Sequence, residues 1–373
     1  MADPVDVRFA HGGAVAQAAL ELGRPPGEIL DFSASINPLG MPREVLEAAR
    51  EAMTHAVHYP EIDASSLVTA LAAAHGLPAE HFLPGSGSTE LLYLFPRVLR
   101  PRRALLVAPA FSEYERGLSQ VGAAIDIFPL SADNGFHLDP CLLVRHLHPE
   151  TDLVLLANPG NPTGAGIDPH VVESIARAVR EQALVAVDEA FVDFCPQRSV
   201  LGAVGLHSNL YVFRSLTKFY AIPGLRAGYL AGPAAGIARL RAAKEPWTLS
   251  VPALVAAETC LGQEDYRQRT LETIPSLRKD LTRGLEDLGM TVFPSEANFL
   301  LVRLEEGEPP ASRLAAELRG MGILIRDCSN FPSLDERYVR VAVRTQKENA
   351  RLLQALSGVL QKDERSESKA GSF

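Results

Sequence analysis

A lysine among small hydroxyl-bearing residues, followed by a loop that carries an arginine, is the feature of this chain with the most chemical content. Lys218 closes the run Ser-Leu-Thr-Lys that begins at Ser215, and Arg226 follows eight positions later. An unprotonated amine attacks an aldehyde, and a nearby cation and a partly dry pocket lower the pKa of a lysine. A hydroxyl and a planar guanidinium suit a phosphate dianion. The segment predicts a site for a cofactor with both an aldehyde and a phosphate, although such a motif alone is typical of a solvated lysine.

An acidic residue closes an apolar run upstream of this lysine. Asp188 follows Val185-Ala186-Val187, a pattern typical of a buried parallel strand with a carboxylate at its C-terminal end. Ligands of open α/β sheets bind at that edge, and the 30 positions from Asp188 to Lys218 allow one crossover between neighbouring strands. An anion there can pair with a protonated pyridine nitrogen, which indicates pyridoxal 5'-phosphate (PLP). The alternative for Asp188 alone is a helix N-cap.

Two more motifs follow apolar runs in the same way. Asn161 lies in the turn Asn-Pro-Gly-Asn-Pro-Thr-Gly over residues 158–164, whose two prolines fix the backbone so that the amide can reach a ring oxygen. Ser88 and Thr89 lie in a Gly-rich turn that opens a helix and offers donors to a phosphate. Each motif is weak alone, because such residues are common in ordinary turns and the Gly-rich turn is neither a dinucleotide-binding nor a Walker A loop. Their common order makes the joint signal strong.

This order of motifs resembles the fold-type I PLP-dependent enzymes, the aspartate aminotransferase superfamily, over nearly the whole chain. The finer likeness is carried by residues 11–13, 31–40, 215–229, 245–248, 323–332 and 334–344. It favours the branch that decarboxylates L-threonine O-3-phosphate to (R)-1-aminopropan-2-ol O-phosphate and CO2 in cobalamin biosynthesis. The alternative is an aminotransferase acting on histidinol phosphate or a similar amino acid. A binding or regulatory module without catalysis is a third hypothesis, which the presence of Lys218 and Asp188 disfavours.

The resemblance implies roles for thirteen residues. Lys218 binds the cofactor covalently and later donates or accepts a proton, and Asp188 pairs with the pyridinium nitrogen. Asn161 hydrogen-bonds the ring 3'-oxygen, and Phe111 stacks on the ring. The residues implied to hold the cofactor phosphate are Ser88, Thr89, Ser215, Arg226 and, from the neighbouring subunit of a homodimer, Tyr59. The residues implied to bind the anionic groups of the substrate, or to help at its end of the site, are Arg340, Arg326, His11 and Asn37.

Three positions depart from the pattern of the superfamily. Phe191 stands where many aminotransferases have tyrosine, so Asn161 is expected to carry the contact to the 3'-oxygen more alone. Ser35 and Ser86 stand where asparagine, or asparagine or aspartate, is commoner. These departures affect the expected substrate preference more than the expected use of PLP.

Composition argues against several other classes of function. The chain has 36 Lys and Arg against 45 Asp and Glu, and a net charge of −9 disfavours general binding to nucleic acid or membrane surfaces. No run reaches the roughly 18 apolar residues of a membrane helix, and no signal peptide is visible. The cysteines show no C-x-x-C spacing, which supports neither a metal site nor a disulfide framework. We therefore expect a cytoplasmic enzyme.

Helix-like and strand-like patterns alternate along the chain, which predicts an α/β fold. We expect a large PLP-binding domain over residues 46–275, with helices covering a mainly parallel sheet that the resemblance makes seven-stranded. A small α+β domain is expected over residues 276–361, joined by an N-terminal arm over residues 1–45. Residues 362–373 are polar and are expected to form a disordered tail. The strand-like runs are residues 104–107, 153–157, 184–187, 210–213, 227–231, 297–302 and 338–343.

Overall fold

The computed structural model describes residues 11–370 of the chain, with the backbone alone for residues 362–370. Its α-helices are α1 (Val15–Leu22), α2 (Arg43–Ala52), α3 (Ser65–His75), α4 (Gly87–Leu99), α5 (Ser112–Ser119), α6 (Pro140–His146), α7 (Pro169–Ala178), α8 (Leu216–Phe219), α9 (Ala234–Ala243), α10 (Val251–Leu261), α11 (Glu264–Glu286), α12 (Ala311–Gly320) and α13 (Gln346–Ala370). Single turns of 3-10 helix occur at Pro26–Glu28, Met53–His55, Ala79–His81, Ala132–Asn134, Val192–Phe194, Pro196–Arg198 and Leu201–Ala203.

The strands form one large sheet and two smaller ones. They are β1 (Leu30–Asp31), β2 (Phe82–Gly85), β3 (Arg103–Ala108), β4 (Ala124–Pro129), β5 (Leu153–Ala157), β6 (Leu184–Asp188), β7 (Leu210–Ser215), β8 (Gly228–Ala231), β9 (Thr291–Val292), β10 (Phe299–Arg303), β11 (Ile323–Leu324), β12 (Arg326–Asp327) and β13 (Tyr338–Ala342).

The large sheet has seven strands in the order β2-β8-β7-β6-β5-β3-β4. The five strands from β7 to β4 run parallel, and β8 runs antiparallel to both of its neighbours. Successive side chains of a strand point to opposite faces, so Leu105 and Val107 enter one hydrophobic core while Ala104 and Leu106 enter another. Apolar residues on both faces require helices on both faces. The predicted α/β fold with a mainly parallel seven-stranded sheet is confirmed.

A second group of elements packs around its own apolar core. Strands β12, β13, β10 and β9 form an antiparallel sheet in that order, and its core includes residues of α11, α12 and α13. The short strand β1 pairs in parallel with β11, which brings the segment before residue 45 onto this part of the molecule. The domain boundary at residues 275/276 stays a prediction, and α11 runs continuously across it.

The C-terminal helix α13 continues to Ala370. A disordered tail was expected from residue 362, but the backbone is helical over residues 362–370, and residues 371–373 lie outside the described residues. Glutamate, lysine and arginine have intrinsic helix propensities similar to those of many apolar residues. The polarity of this segment therefore does not exclude a helix. Among the helices of residues 11–370, none has the length and apolar character needed to cross a membrane.

Candidate active site

The C-terminal ends of the central parallel strands meet at one edge of the large sheet. Asp188 ends β6, and in the register of the sheet it lies beside Ala157 at the end of β5 and Phe213 in β7. A cleft of about 220 Å³ opens at this edge. Nine of the thirteen predicted site residues line it, namely His11, Ser88, Thr89, Phe111, Asn161, Asp188, Lys218, Arg326 and Arg340.

Lys218 lies in the short helix α8, which begins directly after β7, so the end of the strand delivers its amine to the cleft. Its Nζ donates a hydrogen bond to Ser215 Oγ at 3.2 Å, and Ser215 Oγ lies 2.8 Å from Thr217 Oγ1. Burial lowers the pKa of Lys218 to about 8, with Arg226 and Arg340 acting in the same direction against Asp188. More of the amine is therefore unprotonated near neutral pH than in an ordinary lysine.

Asp188 is a buried carboxylate that other groups hold in place. Its Oδ2 accepts a hydrogen bond from the Tyr114 hydroxyl at 2.7 Å, and its Oδ1 accepts one from the Ala190 N–H at 2.9 Å. Burial raises the pKa of Asp188, while Tyr114 and the charge of Lys218 oppose that rise. A cation bound next to Asp188 would favour the ionised carboxylate further. Tyr114 was not predictable from the sequence, because a tyrosine in an amphipathic helix carries no local signal of a role in a site.

The start of α4 forms a concave, cationic corner. Gly87 has φ +78°, and a Cβ placed there would lie 2.5 Å from Arg226 Nη2. A Cβ on Gly228 would lie 2.7 Å from the backbone nitrogen of Ser88. Two glycines therefore let the loop, strand β8 and the guanidinium approach closely. Helix N–H groups, hydroxyls and an arginine together make a phosphate site.

The residues present fit PLP. The corner of Gly87 and Arg226 suits a phosphate, Lys218 offers an amine of lowered pKa, and Asp188 offers a buried anion for a protonated pyridine nitrogen. Ser215 lies behind Lys218 and is held by Lys218 and Thr217, and it is buried rather than among the cleft-lining residues.

Replacing Gly87 with alanine is expected to weaken PLP binding about tenfold. The new Cβ would overlap Arg226 Nη2, and losing one charge-assisted hydrogen bond costs about 1.5–3 kcal/mol. Gly122→Ala is the matched control, because Gly122 also has positive φ (+73°) but a Cβ there meets nothing within 4 Å. The measurement is the PLP dissociation constant of each apoprotein by absorbance titration. Equal constants for the two variants would contradict this assignment of Arg226.

One buried arginine, Arg340, and one half-buried arginine, Arg326, lie side by side at the other end of the cleft. Arg340 of β13 and Arg326 of β12 are register partners. Arg340 donates to Asn161 Oδ1 at 2.5 Å and to the Ser33 carbonyl at 2.7 Å, while its Nε has no hydrogen-bond partner among the described residues. Burial lowers the pKa of Arg340 to about 10, and Arg326 acts in the same direction. Neighbouring cations with an unsatisfied donor are stabilised by an anionic ligand. Because Arg340 engages Asn161 Oδ1, the amide nitrogen of Asn161 remains as the group that can donate.

Besides Ser215 and Arg226, two more predicted residues are not among those that line the cleft. Asn37 was expected at the substrate end, but its Nδ2 donates to the Phe219 carbonyl and to Thr270 Oγ1, both at 2.9 Å. Asn37 is buried, and these hydrogen bonds support the lysine-bearing helix α8. Its side chain is not among those that line the cleft. Tyr59 is 81% exposed and packs on Trp247 with ring centroids 4.9 Å apart.

Comparisons with known proteins agree with this geometry. The family model for aminotransferase class I and II matches residues 27–356. The threonine-phosphate decarboxylase of Salmonella typhimurium is 40% identical over 94% of this chain and 96% of its own. The adenosylcobalamin biosynthesis bifunctional protein CobDQ of Leptospira interrogans is 30% identical over 94% of this chain and 41% of its own. The crystal structure of histidinol-phosphate aminotransferase from Clostridium acetobutylicum has a TM-score of 0.83 and 30% identity, covering 90% of this chain and 100% of that chain.

Proposed function

We propose that this chain, which belongs to the aminotransferase class I and II family, is a PLP-dependent decarboxylase of L-threonine O-3-phosphate. The products are (R)-1-aminopropan-2-ol O-phosphate and CO2, and the reaction serves cobalamin biosynthesis. The observation that carries this choice is the likeness to the Salmonella decarboxylase over nearly the full length of both chains. The Leptospira relative supports the place in cobalamin biosynthesis.

The residues at the closed end of the cleft prepare the cofactor. When bound, PLP withdraws electrons from a bond at the substrate Cα that stands perpendicular to its ring. Asp188, held by Tyr114 and Ala190, keeps a negative charge beside the pyridine nitrogen so that this nitrogen stays protonated. Asn161, whose Oδ1 accepts from Arg340, would donate to the 3'-oxygen of PLP through its amide nitrogen, and Phe111 would pack on the ring. Phe191 also lines the cleft, but it has no hydroxyl that could donate a second hydrogen bond to the 3'-oxygen beside that of Asn161.

The residues at the open end orient the substrate. Arg340 and Arg326 are register partners that line the cleft together with His11. These three residues would hold the substrate phosphate and would leave the substrate carboxylate poorly neutralised. By fixing the orientation of the substrate, these residues would select loss of CO2 over loss of a proton from Cα. Lys218 Nζ then delivers a proton to Cα. Its lowered pKa suits this step, since an acid–base group works best near the operating pH.

Aminotransfer on histidinol phosphate is the second candidate, favoured by the likeness to the Clostridium structure. Both substrates carry a phosphate, so Arg326 and Arg340 do not discriminate between them, and a shared fold does not decide the reaction. The test offers PLP-loaded protein L-threonine O-3-phosphate without any oxo acid and follows CO2. Conversion of histidinol phosphate only after 2-oxoglutarate is added, with no CO2, would favour the aminotransferase.

We propose that the active unit is a homodimer in which Tyr59 completes the phosphate corner of the partner. In a single chain the side chain of Arg226 is exposed at that corner. Tyr59 packs on Trp247, whose backbone N–H donates to the Ile62 carbonyl, and these three apolar side chains are exposed. Met53 and Val57, which precede Tyr59 in the chain, are exposed as well. Such a surface is typical of an interface.

Mixing two variants tests this arrangement. Lys218→Ala alone is expected to be inactive and Tyr59→Ala to be weak at limiting PLP. Refolded mixtures are expected to regain activity, because a mixed dimer holds one site with both native residues. The control mixes Lys218→Ala with Leu206→Ala, a variant of another exposed apolar residue; each Leu206→Ala chain keeps its own lysine, so this mixture fixes the activity expected from simple dilution. A Tyr59→Ala mixture that shows no gain over its separate components would contradict the shared site.

The proposed compartment is the cytoplasm. The four cysteines of the chain are all free, and Cys195, Cys260 and Cys328 are buried. Unpaired thiols suit a reducing compartment.

A further inference from the structure

Glu113 is a buried carboxylate at the mouth of the cleft for which the proposed reaction gives no role. It lies in the first turn of α5, two positions after Phe111, and is 5% exposed. Its Oε1 lies 2.8 Å from His11 Nε2 and 3.8 Å from Arg116 Nη1. Its Oε2 accepts a hydrogen bond from the Tyr93 hydroxyl. Both oxygens are engaged, so the carboxylate is fixed in position.

The backbone on the other side of His11 is fixed as well. A Cβ on Gly12 would lie 2.2 Å from the Ser33 carbonyl oxygen, and the Gly13 N–H donates to Ser33 Oγ at 2.9 Å. The same Ser33 carbonyl accepts a hydrogen bond from Arg340. The backbone of residues 12–13 therefore lies against Ser33, whose carbonyl accepts from Arg340. The His11 imidazole extends the other way, to Glu113 in α5.

We propose that Glu113 is a positioning residue that orients His11 toward the phosphate of the substrate; this inference rests on the proposed function. With Glu113 at Nε2, the other ring nitrogen, Nδ1, lies on the opposite side of the imidazole. A carboxylate that is hydrogen-bonded to one ring nitrogen fixes the orientation of the imidazole. Arg326 and Arg340 line the same cleft as His11, so an anionic group that binds them lies in the space that the imidazole also faces. His11 lines the cleft and Glu113 does not, so the imidazole is the member of the pair that an anion in the cleft can contact.

A double-mutant cycle separates this role from simple packing of α5 on α4. Glu113→Gln keeps the size of the side chain and removes its charge. We expect it to raise KM for L-threonine O-3-phosphate about tenfold, with kcat changed by about twofold at most, because it removes a binding contact rather than one made in the reacting state. In a His11→Ala background the same change is expected to have no further effect on KM. Tyr93→Phe is the control, because it removes a partner of the same carboxylate but leaves Oε1 facing His11; we expect a change of about threefold at most.

Binding of inorganic phosphate to the PLP-loaded protein, measured by calorimetry, tests the inference without turnover. We expect Glu113→Gln to weaken phosphate binding about tenfold only when His11 is present. That result without release of CO2 would support the positioning role and overturn the proposed reaction. Normal release of CO2, with equal or tighter phosphate binding in Glu113→Gln, would overturn the positioning role and leave the reaction standing. Additive effects of Glu113→Gln and His11→Ala would also overturn it.

Discussion

Replacing Lys218 with alanine is expected to lower kcat by about 10⁴-fold or more and to abolish the visible absorbance that PLP acquires on covalent attachment to a lysine. Loss of a nucleophile that also moves a proton removes two functions at once. The structure gives Lys218 a lowered pKa near 8 and a position at the end of β7, facing Asp188 across the cleft. The measurements are the absorbance spectrum of the PLP-loaded protein and steady-state turnover.

Lys244→Ala provides the matched control for this prediction. Lys244 is also largely buried, and its Nζ pairs with Glu90 Oε1 at 3.3 Å, but it does not line the cleft. We expect Lys244→Ala to keep the absorbance and to change kcat by about threefold at most. A Lys218→Ala protein with normal turnover would contradict the assignment of the amine.

Replacing Asp188 with asparagine is expected to lower kcat by roughly 10²–10³-fold, the range found when one preorganised electrostatic contact is removed from an active site. The amide preserves the volume and can still interact with Tyr114 and Ala190, but it provides no charge for the pyridine nitrogen. The assay is run at saturating PLP, and bound PLP is measured separately. The reduction then reports catalysis rather than loss of the cofactor.

Tyr114→Phe separates the charge of Asp188 from its hydrogen bonding. The tyrosine hydroxyl donates to Asp188 Oδ2 at 2.7 Å in a buried environment. Removing it takes away one group that lowers the pKa of Asp188, but Lys218 and the Ala190 N–H still favour the charged carboxylate. We therefore expect kcat to fall by about tenfold at most. If Asp188→Asn retained full kcat, or if both variants lost the same amount, the anion would not be the group that matters.

The central strands could be predicted from sequence, and the edge strands could not. Strands β5, β6 and β7 are apolar runs buried on both faces, and their predicted bounds agree with the structure within two residues. Strand β2 has four residues and contains Pro84. Proline is tolerated in an edge strand, but a short run that contains proline does not predict a strand. Strand β4 is largely half-exposed and carries Asp126, so it lacks a buried run.

The site was predictable where a residue follows a strand and unpredictable where tertiary packing alone places it. Lys218, Asp188 and Asn161 all come at or just after strand ends, and they meet in the cleft. Tyr114 reaches Asp188 from 74 positions away, and His11 reaches Glu113 from 102. No local sequence pattern predicts a contact between residues so far apart in the chain. Asn37 shows the reverse case, because a motif predicted it at the substrate end of the site while its amide hydrogen-bonds to the Phe219 carbonyl and Thr270.

The most direct test of the proposed decarboxylation is the number of CO2 molecules released per active site from carboxyl-labelled L-threonine O-3-phosphate, with PLP-loaded protein and no oxo acid. We predict many CO2 molecules per site, one for each substrate consumed, until the substrate is exhausted. Substrate consumption without CO2, halting after one equivalent per site until an oxo acid is added, would contradict decarboxylation and establish aminotransfer.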